Sequence, residues 1–220
     1  MVAVPAAPAP ESLAEASRRW LLYVARHALR TAMAQREPAA LELPLGAVER
    51  PNDPRLDARA PVYVSWYDGP ELVGCLGSIE PWLPLEQAVA RYAAHAGLDV
   101  RVPATRSRWH RLCAEVSVLG LPQDLPVAGF TAICESLTAG RDGVLLTRHH
   151  AVALPTRWRE TPRPRDFMVA LMRQAGLSPE HDGAKLRART FLAETFGEPN
   201  SVHPRRGLSA QAQALGAQMH

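Results

Sequence analysis

The stretch that decides the fold runs from Pro61 to Ile79 and has the sequence PVYVSWYDGPELVGCLGSI. Its first part is rich in β-branched and aromatic residues and is typical of a strand that ends at Tyr67. The following Asp68-Gly69-Pro70 is typical of a tight turn, and the residues from Glu71 onward return as a second strand. The sequence therefore predicts a β-hairpin.

Helical patterns lie on both sides of this hairpin. The sequence predicts helices at residues 12–36, 84–96 and 165–174. In the first of them apolar residues recur at helical spacing, and Ser12 with Glu15 has the pattern of a capping box. Pro84 suits the first turn of the second helix, and Gly97 follows its end.

Further strands are predicted at residues 112–119, 143–147 and 152–154. The stretch from Lys185 to Phe196 is ambiguous, because its residues favour helices but alternate as in a strand. Helices mixed with hairpin-connected strands favour an α+β fold, an antiparallel sheet flanked by helices, over a doubly wound parallel sheet. Residues 1–11 are expected to be a flexible lead-in, 12–199 one domain and 200–220 a flexible tail.

The composition is that of a globular protein, with 220 residues, 47% hydrophobic and 21% charged. A net charge of +3 permits a nucleic-acid partner without arguing for one. No apolar run approaches the roughly 18 residues of a membrane span, and no signal peptide is evident, so a cytoplasmic protein without a membrane partner is expected.

Metal and cofactor chemistry are not expected from this sequence. The three cysteines are widely spaced, which suggests neither a disulfide framework nor a zinc site. His149 and His150 are adjacent, and neighbouring residues of a strand point to opposite faces, so the two do not readily bind one ion.

The segment Glu71–Ser78, ELVGCLGS, resembles the Leu-Arg-Gly-Cys-Ile-Gly signature of the AMMECR domain family. Other segments match the family in the same order along the chain: Asp99–Pro103 (DVRVP), Ala114–Leu119 (AEVSVL), Gly140–Val144 (GRDGV), Leu154-Pro155 and Ala175–Leu177 (AGL). The resemblance covers residues 12–199. Two positions depart from the family pattern, since Val73 replaces an arginine and Val102 replaces a phenylalanine.

The resemblance implies an α+β fold with a larger and a smaller subdomain in one domain, and a last strand between Lys185 and Phe196. In bacteria and archaea the family is the A component of the AmmeMemoRadiSam system, beside a radical SAM protein and a Memo-type protein. It therefore implies an accessory component that binds a partner or substrate for a radical SAM-linked modification. An arginine at position 73 could hold a carboxylate or phosphate through two hydrogen bonds, which Val73 cannot do.

The motif Gly74-Cys75-Leu76-Gly77-Ser78 is the candidate site, with a cleft expected beside its strand. Gly74, Gly77 and Ser78 are candidate ligand-binding residues because glycine permits close backbone approach to a ligand. Asp99 and Arg101 are two further candidates, with Arg101 holding an anion that Asp99 helps to orient. A local ion pair or loop-fixing hydrogen bonds are the simpler explanation for the last two.

Cys75 is the candidate nucleophile of an alternative function, group transfer by a cysteine-dependent enzyme. That chemistry needs a lowered thiol pKa, which a base, a cation or the N-terminus of the helix near Pro84 could supply. The candidate bases are His95, His110, His149 and His150. A buried structural thiol is the competing interpretation, and it is the one expected for Cys113 and Cys134.

A second alternative is nucleic-acid binding through arginines interleaved with aromatic residues. Arg106, Arg108, Trp109 and Arg111 form such a run, and Arg157-Trp158-Arg159 resembles it. Arginines can contact phosphates while tryptophans stack on bases. A solvated loop with its tryptophan turned inward would have the same sequence.

Overall fold

The computed structural model describes residues 10, 12–35, 48–98, 111–179 and 183–198. These residues form two compact units. The N-terminal unit contains the described residues between 12 and 119 together with 195–198, and the C-terminal unit contains those between 120 and 194. The predicted lead-in, apart from Pro10, and the predicted tail lie outside the described residues.

The N-terminal unit is built on a four-stranded antiparallel sheet in the order β2-β1-β3-β8. Its strands are β1 (Val62–Asp68), β2 (Glu71–Ser78), β3 (Cys113–Leu119) and β8 (Ala193–Gly197). β1 and β2 form the predicted hairpin, in which Val62 pairs with Ser78. The turn contains Gly69, whose φ of 60° lies in the left-handed region that glycine tolerates. The hairpin prediction is therefore confirmed.

Two helices cover one face of this sheet. They are α1 (Glu15–Gln35) and α2 (Leu85–Gly97), within a few residues of the predicted bounds. The sheet residues under them are buried and apolar: Val62, Val64, Trp66, Ala114, Val116 and Val118. The indole N–H of Trp66 donates to the carbonyl oxygen of Ala93 over 2.9 Å, which ties α2 to the central strand. The apolar alternation of β1 therefore places the core between sheet and helices.

The C-terminal unit has a second four-stranded sheet in the order β4-β7-β5-β6. Its strands are β4 (Gln123–Asp124), β5 (Gly143–Leu146), β6 (Ala151–Ala153) and β7 (Arg189–Phe191). Its helices are α3 (Phe130–Ser136) and α4 (Pro164–Gln174). Trp158 stacks on Phe167 with ring centroids 3.8 Å apart inside this core. The predicted strands near residues 143 and 152 and the helix near 165 are confirmed within a residue or two.

The structure corrects the sequence prediction at two places. The stretch 185–196 does not form one strand, because β7 pairs in the second sheet and β8 lies in the first, with Leu192 between them. The helix α3 was not predicted, and it has seven residues and lacks a side-chain N-cap. A helix that short carries little periodicity.

A buried carboxylate connects α1 to the segment before the hairpin. Asp53 accepts a hydrogen bond from the Ser17 hydroxyl over 2.6 Å and from the backbone N–H and guanidinium of Arg55. The Arg55 hydrogen bonds hold the pKa of Asp53 well below its usual range, although burial opposes them. The ionised carboxylate therefore stabilises the folded state.

None of the helices in the described part of the chain is long and apolar enough to cross a membrane.

We predict that Asp53→Asn lowers the free energy of unfolding at pH 7 by about 1–3 kcal/mol, because hydrogen bonds to a charged group are lost. A lowered folded-state pKa gives stability that is present above the unfolded pKa of about 3.9 and is lost as the pH falls below it. Urea unfolding between pH 7 and pH 2 should therefore show a smaller acid dependence in the variant than in the wild type.

Asp57→Asn is the matched control, because its carboxylate is exposed and forms a surface ion pair with Arg50. We expect the acid dependence of that variant to follow the wild type. Parallel curves for the wild type and Asp53→Asn would contradict the role assigned to Asp53.

Candidate functional site

The motif Gly74-Cys75-Leu76-Gly77-Ser78 lies on β2, at the edge of the first sheet. It pairs with β1, where Ser65 is opposite Cys75 and Tyr63 is opposite Gly77. The register shifts between Trp66 and Tyr67, so that one extra residue, Val73, is accommodated in β2. The motif therefore follows a β-bulge.

The two glycines are required for close packing. A Cβ on Gly74 would overlap the carbonyl oxygen of Ala96, and a Cβ on Gly77 would overlap the ring of Tyr63 and the carbonyl oxygen of Val62. Neither glycine is among the residues with positive φ. The glycines thus permit close approach of the protein's own atoms, and the predicted approach to a ligand stays a prediction.

The helix end beside the motif is opposite to the one expected. Gly74 packs against Ala96, in the last turn of α2, whereas Pro84 precedes the first turn. The side chain of Cys75 is on the other face of the sheet, beside Ser65. The first turn of α2 is thus not the part of the helix that packs on the motif, and activation of Cys75 by a helix N-terminus stays a prediction.

The second face of the sheet carries a row of polar side chains. Its members alternate along the strands with the apolar residues under the helices: Tyr63, Ser65, Tyr67, Cys75, Glu115, Ser117 and Thr195. The Tyr67 hydroxyl donates to the Glu115 carboxylate over 3.4 Å, and the Ser117 and Thr195 hydroxyls are 2.8 Å apart. Glu115 is only 3% exposed. Buried polar groups are thus satisfied by one another across the strands.

Cys75 belongs to this row and is held there as a thiol. Its sulfur accepts a hydrogen bond from the Ser65 hydroxyl over 3.3 Å. Burial raises the pKa of Cys75, and the Glu115 carboxylate raises it further, whereas the Ser65 hydrogen bond lowers it. Burial also raises the pKa of the neighbouring Tyr63 to about 12. Both groups are therefore protonated at neutral pH.

The other two cysteines and the described candidate bases lie in different surroundings from Cys75. Cys113 and Cys134 are half-buried, and burial raises the pKa of each thiol. Among the residues that the structure describes, the hydrogen-bond partner of the Cys75 sulfur is Ser65 and not a histidine. His149 and His150 lie in the exposed turn between β5 and β6, and His95 is exposed on α2.

Val73, which replaces the family arginine, is part of the hydrophobic core. It is 6% exposed and packs in the cluster beneath α1 and α2. In this chain the position therefore contributes to packing.

Ser78 ends β2 and starts the following turn. Its hydroxyl accepts a hydrogen bond from the backbone N–H of Glu80 over 2.9 Å. Serine commonly stabilises turns in this way. The contact gives Ser78 a structural role besides the predicted ligand contact.

Several candidate residues lie outside the described part of the chain. These are Asp99, Arg101, Arg106, Arg108, Trp109 and His110. Arg111 is described and is exposed just before β3. The ligand role of Asp99 and Arg101 and the nucleic-acid role of the arginine run thus stay predictions.

The second arginine–tryptophan cluster does not offer a stacking surface. Trp158 is buried, and its indole N–H donates to the carbonyl oxygen of Asp142 over 2.7 Å. Arg157 donates to Gln174, and Arg163 pairs with Asp166. The tryptophan is therefore turned inward, which is the alternative that the sequence left open.

A shallow cavity of about 590 Å³ opens in the C-terminal unit near the start of α3. Arg165 lies over the ring of Phe130 on its wall, 5.4 Å from the centroid. No group of three or more His, Cys, Asp or Glu side chains suited to a metal ion occurs among the described residues.

The fold and the motif define an AMMECR-type α+β protein. A model of the AMMECR1 family matches residues 22–196, and the chain therefore belongs to the AMMECR1 family. Protein MK0488 of Methanopyrus kandleri is 32% identical over 171 residues, which are 72% of this chain and 81% of that protein. Protein TV1384 of Thermoplasma volcanium is 27% identical over 163 residues, 68% of this chain and 78% of that protein.

A solved structure supports the fold. The chain is similar to the crystal structure of the uncharacterized protein PH0010 from Pyrococcus horikoshii, with a TM-score of 0.70 and 25% sequence identity. The similarity covers 86% of this chain and 94% of that one. The predicted α+β class is confirmed.

We predict that Gly74→Ala lowers the free energy of unfolding by about 1–3 kcal/mol, because the new methyl group forces α2 away from β2. Urea unfolding measures the loss. Leu76→Ala, on the same strand but with an exposed side chain, is the control and should cost less than half as much. Equal losses of unfolding free energy in the two variants would contradict the conclusion that the contact with Ala96 requires glycine at position 74.

We also predict that Cys75 is a slow nucleophile. Iodoacetamide labelling between pH 6 and pH 10, followed for each cysteine peptide by mass spectrometry, should give a midpoint above the value of about 8.5 for a free thiol. Ser65→Ala should move the midpoint upward, since the lost hydrogen bond favours the thiolate. A midpoint below that of a free thiol would contradict the environment described for Cys75.

Proposed function

We propose that this protein is a binding component of a modification system that includes a radical SAM protein and a Memo-type protein. In this proposal β2 contributes the surface that binds a partner or substrate, and Cys75 forms no covalent intermediate. The observation that carries the proposal is the environment of the Cys75 sulfur, which is partly buried and has a raised pKa. A function based on binding does not need a thiolate.

The polar row supports this choice over nucleophilic catalysis. A nucleophilic cysteine is normally activated by a base or a positive charge. The described neighbours of Cys75 are instead a hydroxyl, the Ser65 side chain, and a carboxylate, that of Glu115. A nearby negative charge favours the neutral thiol.

One observation favours the cysteine-dependent enzyme as the second candidate. The Ser65 hydroxyl donates to the Cys75 sulfur, and this contact stabilises a thiolate. A substrate that displaced water and brought a positive charge to β2 would lower the thiol pKa further. The two candidates therefore differ in whether removal of the sulfur abolishes function.

The deciding experiment compares Cys75→Ala with the wild type. The two proteins are titrated by calorimetry into purified radical SAM and Memo-type proteins from the same organism. Each is then added to an assay in which the consumption of S-adenosylmethionine is followed. We expect affinity and consumption within about threefold of the wild type, because the sulfur makes one neutral hydrogen bond. Cys113→Ala is the matched control, with a half-buried thiol in the same unit.

The enzyme hypothesis makes the opposite prediction. Removal of an essential nucleophile lowers the rate by about a thousandfold or more while binding survives. A loss of that size in Cys75→Ala, with Cys113→Ala unaffected, would overturn the proposed function. The absence of measurable binding to both proteins would also overturn it.

A further inference from the structure

The outer side of β2 is a free sheet edge in the described part of the chain. The sheet order places β1 on one side of β2, and none of the described strands lies on the other side. An edge strand presents unpaired N–H and C=O groups, which form a template for another extended chain. Natural proteins protect such edges with charged side chains, lysine above all, with proline, with β-bulges or with short strands. β2 has eight residues and contains neither lysine nor proline, and its protecting features are Glu71 at its start and the bulge at Val73, which leave the stretch from Gly74 to Ser78 uncharged.

Large apolar side chains are exposed on this strand and in the segment that follows it. On β2, Leu72 is 44% exposed and Leu76 is 40% exposed, and Trp82, four residues after the end of the strand, is 63% exposed. They are three of the five large hydrophobic side chains that are exposed in the described residues. Such clustering is typical of an interaction surface, whereas single exposed apolar residues are ordinary.

The bulge at Val73 distributes these side chains over both faces of the edge. Leu76 pairs with Val64, which faces the helices, and Leu72 pairs with Tyr67, which faces the polar row. An added strand would thus meet an apolar side chain on each face. Strand addition gains its affinity from main-chain hydrogen bonds and its specificity from such flanking side chains.

The charge of this region selects the kind of partner. Residues 60–90, between the exposed Arg59 and Arg91, contain four acidic and no basic residues, in a chain whose net charge is +3. Glu86 is neutralised by Arg50 at 2.7 Å, whereas Glu71 and Glu80 are exposed near the two ends of β2. A basic segment is therefore favoured here, and the phosphates of a nucleic acid are repelled.

We propose that the outer edge of β2 binds an extended segment of a partner protein, with basic residues at both ends, by β-strand addition. This inference rests on the proposed function and specifies how the partner binds. A second copy of this chain is less suited, because antiparallel pairing of two β2 strands brings Glu71 of one copy beside Glu80 of the other. Like charges placed together across paired strands are destabilising.

The probe is the fluorescein-labelled octapeptide acetyl-Arg-Val-Thr-Val-Thr-Val-Thr-Arg-amide, which matches the length of β2. Binding is followed by fluorescence anisotropy, and hydrogen exchange of residues 71–78 is followed by mass spectrometry. We expect saturable binding and slower exchange in β2. A peptide with glutamate in place of both arginines should bind at least about tenfold more weakly, because two attractions become repulsions. Alternate N–H groups of the peptide point toward β2 and donate to it. Methylation of those peptide nitrogens should abolish binding.

Two kinds of variant test the position of the interface. Leu76→Lys adds a positive charge to the edge, and the double variant Glu71→Gln with Glu80→Gln removes the negative charges without a change in shape. Both should weaken binding by about tenfold. Leu121→Lys is the matched control, since Leu121 is 60% exposed in the C-terminal unit. Circular dichroism of each variant establishes that it is folded.

Several outcomes would overturn the inference. The first is that the octapeptide shows no saturable binding to the protein. The second is that the N-methylated or the glutamate peptide binds as tightly as the octapeptide. The third is that Leu76→Lys leaves the affinity for the octapeptide unchanged. A concentration-dependent dimer of the wild type that Leu76→Lys dissociates, seen by analytical ultracentrifugation, would assign the edge to a second copy instead. Cys75→Ala separates this test from the proposed function. If Cys75→Ala binds the peptide normally but abolishes the consumption of S-adenosylmethionine, the proposed function alone is contradicted. If peptide binding fails while the consumption is retained, the proposed strand addition alone is contradicted.

Discussion

The carbonyl oxygen of Ala96 occupies the place where a side chain of residue 74 would begin, and the arrangement of the N-terminal unit depends on that contact. Because residue 74 is glycine, the last turn of α2 lies directly on the edge strand. The same turn accepts the indole hydrogen bond of Trp66 through Ala93. Helix and hairpin are thereby fixed together at two neighbouring strands. One consequence is steric, since any side chain at residue 74 would separate α2 from the edge strand.

A second consequence concerns the central strand, whose two faces have different chemistry. Val62, Val64 and Trp66 pack under the helices, while the alternate residues bear hydroxyl groups. The hydroxyl groups of Ser65 and Tyr67 donate hydrogen bonds to Cys75 and Glu115 of the neighbouring strands. A row of mutually satisfied polar groups is rigid, because each loss leaves a buried partner without a hydrogen bond. It is suited to hold the backbone of β2 in place while the exposed side of that strand contacts something else.

Much of this architecture could be predicted from the sequence. The hairpin, both long helices and the strands near residues 113 and 144 follow from periodicity and turn residues, which are local signals. The polar row was also present in the sequence, as Tyr63, Ser65 and Tyr67 alternating with apolar residues, but alternation alone does not tell a buried polar face from a solvated one. The switch between sheets at Leu192 could not be found, since pairing between distant strands leaves no local trace. The environment of Cys75 depends on Ser65 and Glu115 of two other strands, and that also is a tertiary property.

The bulge at Val73 has a consequence for the evolution of the motif. Side chains of a strand alternate between its two faces with a period of two residues. The single extra residue at Val73 therefore decides whether the residues before the bulge and those after it share a face. Removal of one residue between Glu71 and Gly74 would exchange the faces of Leu72 and its neighbours without altering the Gly-Cys-Leu-Gly sequence. Length at this point should therefore be under stronger selection than residue identity. When relatives are aligned, a gap placed here would mark a change of surface and not merely a change of loop.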